Sequence, residues 1–167
     1  MKRGRKHAVN LKARRPLRQP AQPEALKAMT RTNTIEEIQS DFEMLDDWED
    51  RYRYVIELGR QLPPLPAGAK NDANKVRGCA SQVWLVSNYD TAAKTLSFQG
   101  ESDSHIVQGL IAILLTLANG RTAAGLAALD IQSHFNKLGL KEHLTPQRSN
   151  GLASMIARIK SDAQAAV

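Results

Sequence analysis

Two amphipathic helices are predicted where apolar residues first recur at helical spacing. Thr34-Ile-Glu-Glu37 has the pattern of a capping box, in which the threonine oxygen and the Glu37 carboxylate each accept from a backbone amide. The inward positions of the first helix follow at Ile35, Ile38, Phe42 and Leu45. After Asp46-Asp47 a second helix starts near Trp48, and its apolar face comprises Trp48, Tyr52, Val55 and Ile56.

The chain after the second helix is rich in proline. This helix is predicted to end near Gln61, because Pro63 disfavours helical geometry at the residue before it. Pro64 and Pro66 then keep the chain extended. We therefore expect residues 63–77 to form a surface loop.

The next patterned stretch favours β-structure. Residues 81–89 are rich in Val, Trp and Leu, and in residues 95–99 apolar Leu96 and Phe98 alternate with polar neighbours. A polar turn separates the two stretches. We predict an antiparallel hairpin with one covered face.

A central helix is predicted directly after the hairpin. Residues 106–118 are apolar on nearly every side, which is typical of a helix buried in the core. Asp103 is its expected N-cap, and Asn119-Gly120 is expected to end it with a left-handed cap.

Three further helices are predicted, over residues 122–129, 131–137 and 146–164. The last begins with Thr145 as N-cap and Pro146 as the first helical residue. Helices before and after one hairpin indicate an α+β fold, a small antiparallel sheet packed against helices.

Composition narrows the class of protein. The 167 residues suffice for one domain with its own core, and a hydrophobic fraction of 42% is ordinary for a globular protein. No apolar run is long enough to span a membrane, and the N-terminus has no apolar segment typical of a secretory signal. A single cysteine forms no internal disulfide, which suits a reducing compartment.

The net charge of +6 is concentrated at the N-terminus. Residues 1–28 contain nine Lys or Arg and one acidic residue, Glu24, whereas residues 29–167 carry a net charge of −2. A nucleic-acid-binding domain has its basic residues on the fold itself, so this distribution argues against that class. Because residues 1–28 have three prolines and no aromatic residue, we expect them to be disordered.

Three interpretations of residues 1–28 stay open. They are a nucleic-acid-binding arm, an organelle transit peptide, and an extension upstream of a true start at Met29. Transit peptides are rich in arginine and poor in acidic residues, as here, but also rich in serine, which this segment lacks.

Cys79, the only cysteine, is the strongest candidate for chemistry. It follows Gly78, which gives the backbone freedom to form a loop and leaves the sulfur uncrowded. Lys75 and Arg77 precede it, and nearby positive charge favours the thiolate over the thiol. We therefore expect an exposed, activated thiol; the alternative is a small buried hydrophobic residue.

Other candidates for chemistry are weaker. His105, His134 or His143 would serve as the base of a Cys–His pair, but the sequence does not show which of them lies near Cys79. One cysteine and dispersed histidines have no metal-ligand spacing, so we expect no zinc or iron site held by this chain alone.

Three motifs together resemble the SufE family of sulfur-acceptor proteins. They are Gly78-Cys79-x-Ser81-Gln82-Val83-Trp84, Ser102-Asp-x-x-Ile106-Val107-x-Gly109-Leu110 and Leu144-Thr-Pro-x-Arg148-Ser149-x-Gly151-Leu152. The segment from Trp48 to Gly59 is also similar to the family's second helix. The resemblance extends from about Ile35 to Ala163 and implies the SufE/IscU-like fold, which is shared with iron–sulfur scaffold proteins.

The resemblance implies a function in sulfur transfer. A pyridoxal-phosphate cysteine desulfurase (SufS-type) holds sulfur as a persulfide, and the implied role of Cys79 is to accept that sulfur by thiolate attack. The chain would stimulate the desulfurase and pass sulfur to a downstream iron–sulfur scaffold. The pyridoxal phosphate belongs to the partner, so we expect a carrier and activator that is not itself an enzyme and needs no cofactor.

The resemblance also implies a partner-binding surface. Beside Cys79, the expected contacts from the same loop are Arg77, Gly78, Ser81 and Gln82, and those from the other motifs are Asp103, His143 and Arg148. Two features depart from the family pattern. Gln147 stands where a serine is common, and residues 1–28 lie outside the pattern.

These inferences divide the chain into a disordered basic extension, residues 1–28, and a SufE-like sulfur-acceptor domain, residues 29–167. We expect a cytoplasmic monomer or weak homodimer that binds neither membrane nor nucleic acid, with organellar import as the alternative localisation. Two other function classes stay open: a stand-alone thiol enzyme using Cys79, and a nucleic-acid-binding adaptor using residues 1–28. The absence of a resolving cysteine disfavours a disulfide-forming enzyme.

Overall fold

The computed structural model describes residues 33–166. Within this range the chain forms seven helices and one hairpin, in the order α1 (Ile35–Met44), α2 (Trp48–Arg60), β1 (Val83–Asp90), β2 (Thr95–Ser102), α3 (His105–Ala118), α4 (Ala123–Ala128), α5 (Ile131–Lys137), α6 (Leu140–His143) and α7 (Pro146–Ala165). The predicted α+β architecture is confirmed. The predictions for residues 1–28 and for a start at Met29 lie outside the described residues.

Both N-terminal helices begin where the sequence indicates. At α1, Glu37 N donates to Thr34 Oγ1 and Thr34 N donates to Glu37 Oε2, so both bonds of the capping box are present. At α2, Asp47 Oδ1 accepts from Glu49 N. These bonds satisfy amides that have no partner within the helix.

The hairpin is antiparallel, with Val83 opposite Ser102 and Asp90 opposite Thr95. Its second strand continues past the predicted end at residue 99. One face is covered, as the alternation predicts, and its buried side chains are Val83, Leu85, Leu96 and Phe98.

Helix α3 lies at the centre of the core. Eleven of its fourteen residues are buried, which confirms the prediction of a central helix. It crosses α2 at very short range, because Gly109 of α3 has no side chain: a Cβ there would lie 2.1 Å from Val55 O. Gly59 of α2 has the same role, since its Cβ would lie 2.6 Å from Gly109 N.

The segment before Cys79 departs from the expected surface loop. Leu65 and Val76 are buried. Residues 74–76, which we call the strap, pair with β1: Val76 N donates to Val83 O and Leu85 N donates to Asn74 O, both at 2.9 Å. The expectation of a surface loop over residues 63–77 is therefore wrong for the strap, because the free edge of β1 provides backbone partners for it.

Two details at helix ends were not predicted. Ser104, not Asp103, is the N-cap residue of α3, and it makes no side-chain capping bond. Helix α6 has four residues after Gly139, which is left-handed at φ +70°. A segment of this length is too short to display a helical repeat in the sequence. Helices α4, α5 and α7 lie within two residues of their predicted bounds.

Candidate functional site

Cys79 lies in the loop of residues 77–82, which we call the cysteine loop. The backbone bond between Val76 and Val83 closes this loop at its base. Gly78 has φ +89°, a left-handed conformation that favours glycine. A Cβ at Gly78 would also lie 2.6 Å from Ser154 Oγ. Glycine is therefore needed here for the backbone conformation and for the close approach of the loop to α7.

The sulfur of Cys79 packs against α7. Its Sγ donates to the carbonyl oxygen of Gly151 at a distance of 3.5 Å. A Cβ at Gly151 would lie 3.4 Å from Sγ, an ordinary contact, so an alanine would fit here but a larger side chain would meet the sulfur. The Cys79 side chain is half-buried and is not in a disulfide. The thiol is therefore less exposed than the loop position suggests, although the sequence left its exposure at rest open.

The acidity of the thiol also differs from the expectation. Burial raises the pKa of the Cys79 thiol above its ordinary value. Removal from water disfavours the charged thiolate, and a hydrogen bond donated to a carbonyl stabilises the protonated form. The expected lowering by Lys75 and Arg77 is wrong; Arg77 is exposed, so water screens its charge.

Asp103 holds the far end of the cysteine loop. Gln82 N donates to Asp103 Oδ1 at 3.0 Å, and Asp103 N donates to Gln82 O at 3.3 Å. The carboxylate expected to cap α3 thus binds the loop backbone instead. Two of the predicted site residues, Gln82 and Asp103, are in direct contact.

The proline-rich loop that follows α2 is attached to the hairpin, beside the cysteine loop. Glu101 Oε2 accepts from Leu65 N at 3.0 Å, and Glu101 also pairs with Lys70. The hydrogen bond from Lys70, together with that from Leu65, lowers the pKa of the Glu101 carboxyl. Lys70 Nζ lies 5.6 Å from the ring centroid of Trp84, two residues after the loop. These contacts fix the proline-rich loop to both strands of the hairpin.

A second group of motif residues lies where α2 meets α6 and α7. Arg148 Nη1 donates to Tyr52 Oη at 2.8 Å. The His143 ring stacks on Trp48, with ring centroids 3.4 Å apart, and the guanidinium of Arg51 lies 5.0 Å from the Trp48 ring. His143 and Arg148 therefore contact α2, which sequence reasoning did not predict.

The predicted site residues fall into two groups. One comprises the residues of the cysteine loop together with Asp103, and the other comprises His143 and Arg148, which contact α2. The cysteine loop carries exposed Arg77, Gly78 and Gln82 and half-buried Ser81, and Asp103 binds it. Arg148 precedes Gly151 by three residues on α7, and this spacing places both on one face of the helix. His143 contacts Trp48 and makes no hydrogen bond to the cysteine loop within residues 33–166.

None of the proposed histidine bases is paired with the thiol. Within residues 33–166, the hydrogen-bond partner of Cys79 Sγ is Gly151 O, not His105, His134 or His143. Nδ1 of His134 is buried and has no hydrogen-bond partner in the described part of the chain. The geometry gives no support to a Cys–His pair at rest.

Three residues of α7 that contact the cysteine loop or the segment before it were missed in the sequence: Gly151, Ser154 and Arg158. They lie at positions i, i+3 and i+7, a spacing that places them on one helical face. Their shared face is visible in the sequence, but the spacing alone does not show that it meets the cysteine loop.

Comparison with known proteins finds a family that matches most of the chain. Residues 36–163 match the family described as "SufE: Fe-S metabolism associated domain". The chain belongs to the SufE family. Uncharacterized SufE-like proteins of Rhizobium meliloti (strain 1021) and Rhizobium etli are each 53% identical to it over 133 residues. These alignments cover 78% of this chain and, respectively, 95% and 90% of the two relatives.

A solved structure has the same fold as this member of the SufE family. The solution structure of a hypothetical protein from Thermus thermophilus matches with a TM-score of 0.64. It covers 79% of this chain and 94% of that one at 18% sequence identity, so the likeness concerns the fold alone. The family as a whole is associated with iron–sulfur metabolism.

Residues 33–166 contain no group of three or more His, Cys, Asp or Glu side chains placed to hold a metal ion. No helix in this range combines the length and apolarity needed to cross a membrane. A cleft of about 480 Å³ lies beside the start of α7, lined by Gln132, Lys141, Leu144, Pro146, Ser149 and Leu152. Cys79 does not line it.

Proposed function

We propose that the chain is a sulfur acceptor that takes persulfide sulfur from a cysteine desulfurase onto Cys79. The observation that carries the proposal is the placement of the only cysteine on a glycine-containing loop that packs on α7, in a member of the SufE family. The chain then passes the sulfur to an iron–sulfur scaffold. It acts as a carrier and activator of the desulfurase, which supplies the pyridoxal phosphate.

The transfer step is a thiol–persulfide exchange. The Cys79 thiolate attacks the outer sulfur of the donor persulfide, and a new sulfur–sulfur bond forms on Cys79. The old sulfur–sulfur bond breaks, and the donor cysteine leaves as a thiolate. The number of sulfur–sulfur bonds is unchanged, so no external oxidant or reductant takes part. The proton of Cys79 has to leave before or during the attack.

The raised thiol pKa gives the partner a role in activation. At neutral pH the resting chain holds the protonated thiol against Gly151. Attack on the donor persulfide requires the sulfur to leave Gly151 O and lose its proton. We propose that docking on the desulfurase moves the cysteine loop and provides the environment that favours the thiolate. The resting thiol is thereby protected from unrelated oxidants.

The remaining partner-binding residues belong to the same proposal. Arg77, Ser81 and Gln82 lie on or beside the exposed part of the cysteine loop, where a docking desulfurase would meet them. Arg148 lies on the face of α7 that also carries Gly151, the residue that contacts Cys79. His143 stacks on Trp48 and would form the edge of the surface.

We also propose that residues 29–167 are sufficient for this activity, in the cytoplasm, and that residues 1–28 are dispensable. The family match begins at residue 36, and the net charge of +8 in residues 1–28 contrasts with −2 in the rest. A chain starting at Met29 should therefore accept sulfur as the full chain does. Loss of acceptance on this truncation would contradict the proposal.

The direct test uses a cysteine desulfurase, free cysteine and no reductant, followed by intact mass measurement after a brief reaction. We expect a gain of one or more sulfur atoms that maps to Cys79 and is absent in Cys79→Ser. Cys79→Ser should keep its fold, because serine is close in size to the half-buried cysteine. No added sulfur with several desulfurases would overturn the proposal and favour a stand-alone thiol enzyme.

A further inference from the structure

Arg158 joins α7 to the segment that leads to Cys79. Its Nη2 donates to Ala73 O at 2.9 Å, and its Nη1 lies 3.5 Å from Lys75 O. Asp162, one turn further along α7, accepts from Nε at 3.0 Å. The Asp162 carboxylate orients the guanidinium. One side chain thereby binds the carbonyl of Lys75 in the strap and that of Ala73 just before the strap.

The Arg158–Asp162 pair and the contact with Lys75 O are better sheltered than an ordinary surface ion pair, whereas the bond to Ala73 O is exposed. The side chains of Arg158 and Asp162 are 27% and 18% exposed. Arg53 of α2, which pairs with Glu49 and Asp50, is 70% exposed. Hydrogen bonds from a charged donor are stronger than neutral ones, and partial exclusion of water reduces their screening. Arg158 is therefore placed to restrain the backbone, and Arg53 serves as a matched control.

The strap is held on both edges. On one edge, Val76 N donates to Val83 O of β1. On the other edge, Arg158 binds the carbonyls of Ala73 and Lys75. Release of the second edge would leave the strap attached through β1, through the hydrogen bonds of Asn74 to Ala69 and Asn71, and through the buried Val76 side chain.

The strap in turn determines where the thiol lies. Three residues separate Lys75 from Cys79. Arg158, Ser154 and Gly151 follow one face of α7, and they contact in order the strap, Gly78 and Cys79. The chain therefore runs along this face from Arg158 to Gly151.

We propose that Arg158 is a positioning residue that fixes the strap and thereby holds the Cys79 thiol against Gly151. Its meaning for sulfur transfer rests on the proposed function, but the positioning itself is a property of this chain alone. Removal of the guanidinium lets the cysteine loop leave α7 and exposes the sulfur. Arg158 acts through the backbone and does not touch the reacting atoms.

The test measures how fast Cys79 in the full chain reacts with iodoacetamide at neutral pH under native conditions. We expect Arg158→Ala to react about tenfold faster than the wild type, which corresponds to about 1.4 kcal/mol. Arg158→Lys should be intermediate, because an ammonium lacks the planar fork that binds two carbonyls and the carboxylate together. The control Arg53→Ala should react at the wild-type rate.

Denaturant unfolding of the same variants separates positioning from general destabilisation. A reaction rate unchanged within about twofold, or a rise equal to the change in the global unfolding equilibrium, would overturn the proposal. If Arg158→Ala does not fold, Arg158→Lys and Asp162→Asn replace it, since each weakens the contact without removing the whole side chain. Each should then raise the rate more than Arg53→Ala does.

A second measurement connects the inference with sulfur transfer. In a desulfurase assay, Arg158→Ala should lower the concentration of this chain needed for half-maximal stimulation and leave the maximal rate near wild type, because docking no longer has to pull the cysteine loop away from α7. A lower maximal rate at an unchanged half-maximal concentration would contradict positioning. If the wild type accepts no sulfur, the proposed function fails while the alkylation result still decides the role of Arg158.

Discussion

Cys79 Sγ donates to Gly151 O at 3.5 Å, a contact between residues 72 positions apart in the chain. This contact explains both properties of the thiol. The sulfur is half-buried because α7 covers it, and its pKa is raised because burial disfavours the thiolate. The reactive atom is therefore held in a protected position, from which a partner has to release it.

Substitutions at Gly151 should separate helix stability from thiol position. A Cβ at this residue would make an ordinary contact with Cys79 Sγ at 3.4 Å. Gly151→Ala should therefore keep the thiol in place and raise the free energy of unfolding by about 0.5–1 kcal/mol, because alanine favours a helix interior. Gly151→Val should push the sulfur outward, since its methyl groups would reach the space that the sulfur occupies. The measurements are denaturant unfolding and the alkylation rate of Cys79.

The valine variant is the decisive one of the pair. Its alkylation rate should exceed that of Gly151→Ala severalfold. Equal rates in the two variants would mean that the size of the side chain at residue 151 does not affect the exposure of the sulfur.

Gly78→Ala should destabilise the cysteine loop for two separable reasons. The left-handed conformation at φ +89° costs an alanine about 1–2 kcal/mol. The new Cβ would also lie 2.6 Å from Ser154 Oγ. We expect the free energy of unfolding to fall by more than the conformational cost alone, as measured by denaturant unfolding.

The double variant Gly78→Ala/Ser154→Ala isolates the second reason. Without the hydroxyl, the nearest atom of residue 154 is Cβ, at 3.6 Å, which is an ordinary contact. The double variant should therefore recover part of the loss. If it is as unstable as the single variant, the hydroxyl contact contributes nothing.

The sequence was sufficient to predict every element of the fold except the four-residue helix α6. The capping box at Thr34, the alternation in the hairpin and the apolar run of α3 are local signals, and each was confirmed. The strap was not predictable in this way. Its pairing with β1 depends on a backbone edge that exists only after the hairpin has formed, and no local pattern encodes it.

The environment of Cys79 was harder to predict than its importance. Its neighbours in sequence, Lys75 and Arg77, suggested an activated thiol. The atom that contacts the sulfur comes from Gly151, far away in sequence, whose carbonyl oxygen accepts from Sγ in the half-buried site. Burial at this site raises the pKa of the thiol, and neither Lys75 nor Arg77 contributes to the shift.

Arg148 and Tyr52 allow a test of partner binding that controls for stability. Their hydrogen bond, 2.8 Å long, joins α7 to α2. Tyr52→Phe and Arg148→Ala both remove it and should each cost about 1 kcal/mol of stability. Tyr52→Phe keeps the positive charge, whereas Arg148→Ala does not. If Arg148 contacts the desulfurase, only Arg148→Ala should raise the half-maximal concentration for stimulation, by about tenfold.

The comparison between these two variants decides the matter. Equal effects on stimulation would mean that Arg148 acts through the packing of α2 and α7. An unchanged half-maximal concentration in both would remove Arg148 from the partner surface.

The raised pKa of Cys79 predicts how its reactivity depends on pH. Only the thiolate reacts with iodoacetamide, so the rate follows ionisation of the folded-state thiol. Its midpoint should lie above the ordinary thiol pKa of about 8.5. In urea-unfolded chain the midpoint should return to the ordinary value. A midpoint below the ordinary value in the folded chain would restore activation by Lys75 and Arg77.

The same shift predicts a loss of stability in alkali. Below the ordinary thiol pKa, Cys79 is protonated in both folded and unfolded chains and adds no pH dependence. Above it, the unfolded chain releases its proton first, so the unfolding free energy of the wild type falls relative to Cys79→Ser until the folded-state pKa is passed. Denaturant unfolding of both chains at about pH 7 and about pH 10 measures this difference. The unfolding free energy of the wild type relative to Cys79→Ser could instead stay constant or increase. This result would show that folding does not disfavour the thiolate. The contact between Cys79 and Gly151 would then have to open readily in solution.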